Sequence, residues 1–349
     1  MLLKEMFEFS PKSKRNAAFG QKTGRFPFFT SSNIVERFVN TPDYSGEYLI
    51  IGDGGTGNCK YYKGEFSVSD HNYLLQPKKG TNALCVKYFL MKDGYKVLND
   101  GFKGVGIKNV SKKYIESIDY AYNKNFSENE IVASLQRVES LIDEKDRQIT
   151  ELDSLVKSRF IEMFGTVNKR QLSSIAEIFM GQSPDSKSYN DSGNGIPFFQ
   201  GKADYGEKYT KVAHWTTSPT KLARQGDVLM SVRAPVGPVN ISSSDCCIGR
   251  GLCAIRAKEG VTNNEFLYNA LKVMESEISS MGNGSTFKAI NKNDVYGLKI
   301  PSASIAEQEK FSAFSELIDK SRFIVQSQIK DLQELLDSKM DEYFGGDEG

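Results

Sequence analysis

From Ser127 onward the chain places an apolar residue every three or four positions: Ile131, Leu135, Val138, Ile142, Ile149, Leu152, Val156 and Met163, with Lys145 and Arg159 where the stripe skips. A second stretch does the same with Phe311, Phe314, Ile318, Val325, Ile329, Leu332, Leu336 and Tyr343. A narrow stripe sustained over many turns is the pattern of a coiled-coil seam, whereas a helix lying on a globular core needs a broader apolar face. Each stretch predicts one long helix, and two such stripes in one chain are most simply covered by each other. The segment SENE at 127–130 supplies a capping box for the first helix, and Gly165 and Gly345 supply the stops. At a rise of about 1.5 Å per residue the first helix is a rod of roughly 55 Å, the dimension of a spacer.

Ahead of each helical stretch the pattern changes to short apolar or alternating runs, YLII, FSVS and YLLQ in the first half, DVLMSV and GLCAIRA in the second, broken by Gly, Pro, Asn and Ser. These predict β-rich domains with a few helices. The two halves also repeat each other. GRFPFF matches NGIPFF, with Pro27 and Pro197 in register, and LKEMFEF at 3–9 falls on LSSIAEI at 172–178. At an offset of 180, GEYLIIGDGGTG at 46–57 falls on GDVLMSVRAPVG, and FSVSDHNYLL at 66–75 on CCIGRGLCAI. So long a period excludes a solenoid of short repeats and implies two copies of a domain-plus-helix unit. The expected fold class is α+β: β-rich domains over 1–125 and 166–303 in pseudo-symmetric repeat, with long helices over 126–165 and 304–349.

Charge separates these parts. The chain as a whole carries +1, yet residues 1–125 carry +7 and 166–301 carry +4, against −4 over 126–165 and −6 over 302–349. Two basic domains on acidic stalks suit polyanion binding by the domains and leave the stalks for protein partners. Basic, amide and aromatic residues interleave in the loops, the side-chain types that hold phosphates and read base edges. In the first domain the DNA-contact candidates are Lys12, Lys14, Arg15, Lys22, Arg25, Asn33, Asn58, Lys60, Tyr61 and Asn72. In the second they are Gln182, Ser183, Lys187, Tyr189, Gln200, Lys202, Tyr209, Arg233, Arg250 and Lys288.

Other chemistry finds little support. Gly52, Gly54 and Gly57 satisfy G-x-G-x-x-G, but the stretch that follows, NCKYYKGEFSVSD, is strand-like where a dinucleotide site needs a helix N-terminus, so a tight loop between strands is expected. The two histidines, His71 and His214, are not equivalent in the repeat and have no recognisable catalytic or metal-ligand spacing. Five cysteines without a CxxC pair read as buried, reduced side chains. With no apolar run of membrane-spanning length and no basic-then-apolar leader, the expectation is a soluble protein of the cell interior.

The stretch GSTFKAINKNDVYGLKIPSASIAEQEKF at 284–311, preceded by GQSP, IPFFQGKADY and GDVLMSVRAPVGPV, resembles the target-recognition domains of type I restriction-modification specificity subunits. The resemblance runs along the second half and, more weakly, the first. It implies that the two long helices pair antiparallel, that each domain reads half of a split, asymmetric DNA site, and that the helices dock two methyltransferase subunits and the restriction subunits. It implies no catalysis and no cofactor in this chain, with S-adenosylmethionine and ATP/Mg on the partners. The competing readings are the recognition subunit of a related system that cuts beside its site, a nucleotide-dependent enzyme built on Gly52–Gly57, and an architectural coiled-coil scaffold.

Overall fold

The computed structural model describes residues 1–32, 34–106, 108–282 and 289–345. The chain forms two compact units, one of Met1–Arg147 with Gln326–Gly349 and one of Gln148–Val325. Each contains a globular region and part of each long helix, so the units cut through the helices instead of falling at their ends.

The first unit opens with α1 (Leu3–Met6) and β1 (Phe7–Phe9), followed by β2 (Phe26–Phe29), β3 (Phe38–Val39), β4 (Tyr44–Gly52), β5 (Cys59–Val68) and β6 (Asn72–Pro77). These strands form one sheet in the order β1-β6-β4-β5-β2-β3. Its one parallel pair sets Phe28 opposite Ser67 and Phe29 opposite Val68. Successive β4 residues point to opposite faces. Leu49 and Ile51 join Leu75 in the core shared with α2 (Ala83–Asn99), while Ile50 packs with Phe29, Phe66 and Val68. The glycine triplet lies at the turn of the β4–β5 hairpin, with Ile51 opposite Cys59. The strand after Gly57 leaves no helix N-terminus there for a nucleotide. A small pair, β7 (Phe102–Lys103) and β8 (Asn109–Val110), and α3 (Lys112–Ser117) lead to α4 (Glu128–Phe164).

The second unit repeats this plan. It continues with β9 (Lys169–Gln171), α5 (Leu172–Ile175), β10 (Ala176–Met180), β11 (Tyr189–Asn190), β12 (Ile196–Phe199), β13 (Trp215–Thr216), β14 (Leu222–Ala223), β15 (Val228–Ser231), β16 (Val239–Ile241), β17 (Cys246–Ile248) and β18 (Leu252–Ala257). Strands β10–β18 form the sheets β10-β18-β15-β16 and β11-β13-β12-β17-β14, while β9 pairs antiparallel with the later strand at Lys299–Pro301. The parallel pair recurs as β12–β17, with Phe198 opposite Cys247 and Phe199 opposite Ile248. Helices α6 (Asn264–Val273), α7 (Glu275–Ser280) and α8 (Lys292–Gly297) and strand β19 (Lys299–Pro301) precede α9 (Ile305–Phe344).

The register corrects the sequence alignment at one place. Leu49 lies opposite Leu75, and Val228 lies opposite Ile255. With Leu75 and Ile255 equivalent, Leu49 corresponds to Val228, an offset of 179, whereas the alignment set it on Leu229. Leu229 instead points to the other face with Ala254. In a strand a one-residue slip exchanges the two faces, and where both faces are apolar the sequence carries no signal to detect it.

Both long helices begin with the same device. Ser127 and Glu130 form a reciprocal capping box, as do Ser304 and Glu307. In the first unit, Ile131 and Leu135 of α4 share a core with Met340, Tyr343 and Phe344 of α9, and the Tyr343 hydroxyl donates to Ser134 Oγ at 3.0 Å. In the second unit, Phe160 and Phe164 of α4 lie 5.3 and 5.7 Å from the Phe311 ring of α9. The start of one helix thus meets the end of the other in each unit, an antiparallel pairing. Along the stripe Ile131, Leu135, Val138, Phe311 and Ile318 are buried, and Ile142, Ile149, Leu152, Val156, Phe314, Val325, Ile329, Leu332 and Leu336 are half-buried. A two-helix seam covers less of each side chain than a globular core does. Phe160 and Phe164 lie off the predicted stripe because the last turns of α4 leave the seam and enter the core of the second unit.

Candidate functional site

Within each unit the parallel strand pair gathers a corresponding set of loops at one end. In the second, Gly249 N–H donates to the Phe199 carbonyl, Gln182 N–H to that of Ile248, and Val232 N–H to that of Gly251. Arg250 N–H donates to Ser183 Oγ at 3.2 Å. These bonds gather Gln182, Ser183, Gln200 and Arg250 at one end of the strands, and Arg233 follows Val232 there. Glycines make the close approach possible: a Cβ at Gly251 would lie 2.2 Å from the Gln200 carbonyl oxygen. Gln200 and Gly201 are held in turn, since both backbone N–H groups donate to Asp204 Oδ2, at 2.6 and 3.1 Å. Arg233, Arg250, Lys187 and Lys202 are exposed.

Two aromatic candidates in this unit have other surroundings. The Tyr189 ring packs 4.8 Å from that of Phe198 and its hydroxyl donates to the Pro184 carbonyl, so it supports the loop. Tyr209 is exposed, but it bridges to Ile241 at the Val228 end of the β15–β16 pair, away from Arg233. Its loop is anchored by a buried charge network that sequence reasoning missed. Lys208, with a side chain 10% exposed, pairs with Glu265 of α6 and Asp319 of α9. Arg322, 8% exposed, pairs with Asp153, Asp319 and Glu207. Burial alone would lower the Lys208 pKa, but the field of Glu265 and hydrogen bonds to Asp319 and Glu265 outweigh it and leave it raised.

The first unit has the same scaffold with different side chains. Ser69 N–H donates to the Phe29 carbonyl and Asp53 N–H to that of His71, the counterparts of the Gly249 and Val232 bonds. Lys12 reaches this end, pairing with Asp53 and lying 4.4 Å over the Tyr73 ring. His71 Nδ1 is 3.0 Å from the other Asp53 oxygen. Lys14, Lys22 and Arg25 are exposed, with Lys22 and Arg25 beyond the Phe26 end of β2. Arg15 is committed to Asp43 at 2.5 Å and to the Phe19 ring.

Two first-unit candidates, Asn72 and Asn58, are buried, and two more, Lys60 and Tyr61, are half-buried and hydrogen-bonded within the unit. Asn72 is 1% exposed and donates to the Phe29 and Ser69 carbonyls and Ser69 Oγ. Asn58 is 3% exposed and donates to the Ser31 and Thr56 carbonyls. Lys60 is half-buried, with its ammonium on the Thr30 carbonyl and Asn58 Oδ1, and burial pushes its pKa down to about 8. Tyr61 is half-buried with its hydroxyl on Glu47. These polar residues brace the loops from inside, since a buried amide must find partners within the protein. Sequence alone gives an amide or lysine in a loop the same appearance whether it faces inward or outward. Asn33 and Lys288 lie outside the described residues.

Other chemistry is sparse. All five cysteines are buried and unpaired, and desolvation raises the thiols of Cys59 and Cys253 to about 12. Among the described residues no cluster of His, Cys, Asp and Glu could hold a metal ion, and no helix is long and apolar enough to cross a membrane.

The family model described as "Type I restriction modification DNA specificity domain" matches residues 1–152 and again 165–333. The chain belongs to this family. As a type I specificity subunit it serves DNA recognition in a restriction-modification system, without a catalytic role of its own, and its partners are DNA and methyltransferase and restriction subunits. It is 30% identical over 326 residues to the putative type I restriction enzyme MjaX specificity subunit of Methanocaldococcus jannaschii, covering 81% of this chain and 76% of that protein. The MjaIX specificity subunit of the same organism is 26% identical over 168 residues, 44% of this chain and 39% of that protein. A solved chain from work on complex assembly and conformational transition of the type I R-M system has the same fold, with a TM-score of 0.62, 24% identity and coverage of 98% and 96% of the two chains. So does the S subunit from M. genitalium, with a TM-score of 0.57, 14% identity and coverage of 98% and 94%. Specificity subunits therefore share this fold across wide sequence divergence.

Proposed function

We propose that each unit reads one half of a bipartite, asymmetric DNA site with the loops gathered at the end of its parallel strand pair. The observation that carries this reading is the repetition of one backbone hydrogen-bond scaffold with unlike side chains on it: Gln182, Ser183, Gln200, Arg233 and Arg250 in the second unit, Lys12 and His71 in the first. A shared scaffold with exchanged donors suits two half-sites of different sequence. Exposed lysines and arginines around each cluster neutralise phosphates, and the polar side chains select bases, each good bidentate pair being worth about 1–3 kcal/mol of discrimination.

The long helices carry the partners. Their outward faces expose Leu141 and Leu335 in the first unit and Leu155, Ile161, Leu317, Phe323 and Ile324 in the second. Leu155 and Leu335 are equivalent in the repeat, so the two halves offer a similar contact, as two copies of a methyltransferase subunit require. The test is methylome sequencing of cells with and without the gene. Loss of one bipartite adenine-methylation motif is expected; an unchanged methylome in cells that make the whole complex would overturn the reading.

A further inference from the structure

The first unit contains a Lys12–Asp53–His71 cluster, and the second carries Val232 and Gly251 at the places of Asp53 and His71. Asp53 has a side chain only 9% exposed and sits directly after β4, with one carboxylate oxygen taken by the Lys12 ammonium and the other by His71 Nδ1. Lys12 and His71 are themselves 41% and 62% exposed. The repeat locates this group. Asp53 N–H donates to the His71 carbonyl as Val232 N–H donates to that of Gly251, and Val110 N–H donates to the Asp53 carbonyl as Ile290 N–H does to that of Val232. Asp53 therefore occupies in the first unit the place that Val232 holds in the second, and His71 the place of Gly251, which in the second unit adjoins the Gln200 and Arg250 positions. Where the second unit uses glycine to admit the Gln200 backbone, the first puts an imidazole there and a buried carboxylate beneath it.

We propose that Asp53 is the positioning residue of the first reader, holding Lys12 and His71 as a paired probe for a purine edge in the major groove. This rests on the reading above that this end of each unit faces DNA. A buried carboxylate shared between two donors fixes both side chains before binding, which removes part of the ordering cost of contact. In the tautomer that donates Nδ1–H to Asp53, Nε2 is left as an acceptor, while Lys12 presents a donor. Lys12 takes purine N7 or guanine O6, and His71 takes a neighbouring exocyclic amino group. Val232 in the equivalent place cannot organise such a pair, so the two half-sites are read by different chemistry.

The test uses the full chain assembled with its methyltransferase subunits, and duplexes carrying single substitutions in one half-site or the other. Asp53→Asn is expected to reduce discrimination against first-half substitutions on the order of 10- to 100-fold and to leave second-half discrimination unchanged. The double variant Lys12→Met/His71→Gln, which changes only exposed side chains, should do the same with Asp53 in place; it decides alone if Asp53→Asn fails to fold. Arg250→Ala is the control and should relax the second half only. If Arg250→Ala behaves so while the triad variants leave first-half discrimination intact, or weaken both halves equally, the assignment to Asp53 fails. If Arg250→Ala also changes nothing, the DNA-facing reading of this surface fails with it.

Discussion

Replacing Lys208 by methionine removes the cation from a network in which Glu265 and Asp319 both point at one ammonium. Breaking a buried pair by deleting one partner costs about 3–5 kcal/mol, because the remaining charge is left without compensation. Two features place this case near the lower end. Asp319, a quarter exposed, keeps a 2.7 Å bond from Arg322, and Glu265 keeps those from Asn269 and Ser315. A loss of about 3 kcal/mol corresponds to a fall in Tm of roughly 6–12 °C for a unit of this size. Trp215, the single tryptophan, lies in β13 of the second unit, so its fluorescence follows the unfolding of that unit. In a double-mutant cycle with Asp319→Asn the coupling should reach about 1–3 kcal/mol. The Lys208 pKa is raised in the folded state, so its stabilisation is complete below the ordinary lysine value of 10.5 and disappears only as pH climbs through the higher folded value. The difference between wild type and variant should accordingly be flat from about pH 7 to 9. A loss below about 1 kcal/mol with strictly additive double variants, as at an exposed ion pair, would refute the reasoning.

Three further outcomes are expected. Phe160→Ala should cost the second unit about 3–5 kcal/mol by Trp215 fluorescence, because its ring is 4% exposed and packs against Phe164, Phe266 and Phe311; a cost under about 1 kcal/mol would mean that α4 does not help to build that core. Lys60 is a lysine whose folded pKa is lowered to about 8, so the folded protein binds fewer protons than the unfolded chain between about 8 and 10.5, and stability gains with pH across that window; Lys60→Met should abolish this gain in denaturation measured against pH, and an unchanged slope would contradict the burial. Gly251→Ala should force the Gln200 backbone away and weaken discrimination at the second half-site while leaving the first as it was; equal effects on both would show that the Gly251–Gln200 approach has no special role in one reader.

The two long helices, the capped start of the first and the division into two β-rich repeats were legible in the sequence, because each is a local or repeated property. The stripe from Ile131 to Val156 needs only the spacing of apolar residues, and Ser127 and Glu130 are three positions apart. The recognition surface was legible as regions and much less as residues. Asn58, Asn72 and Lys60 have the composition of a nucleic-acid contact, yet they turn inward to satisfy loop carbonyls, which depends on how β2, β4 and β5 meet, and Tyr61 lies half-buried with its hydroxyl on Glu47 of the next strand. Lys12, Asp53 and His71 are distant in the chain, and only the sheet brings them together. The same holds for Lys208 with Asp319. Periodicity along a chain selects helices and strands; which polar group faces another is decided by contacts between distant segments, and no local pattern records them.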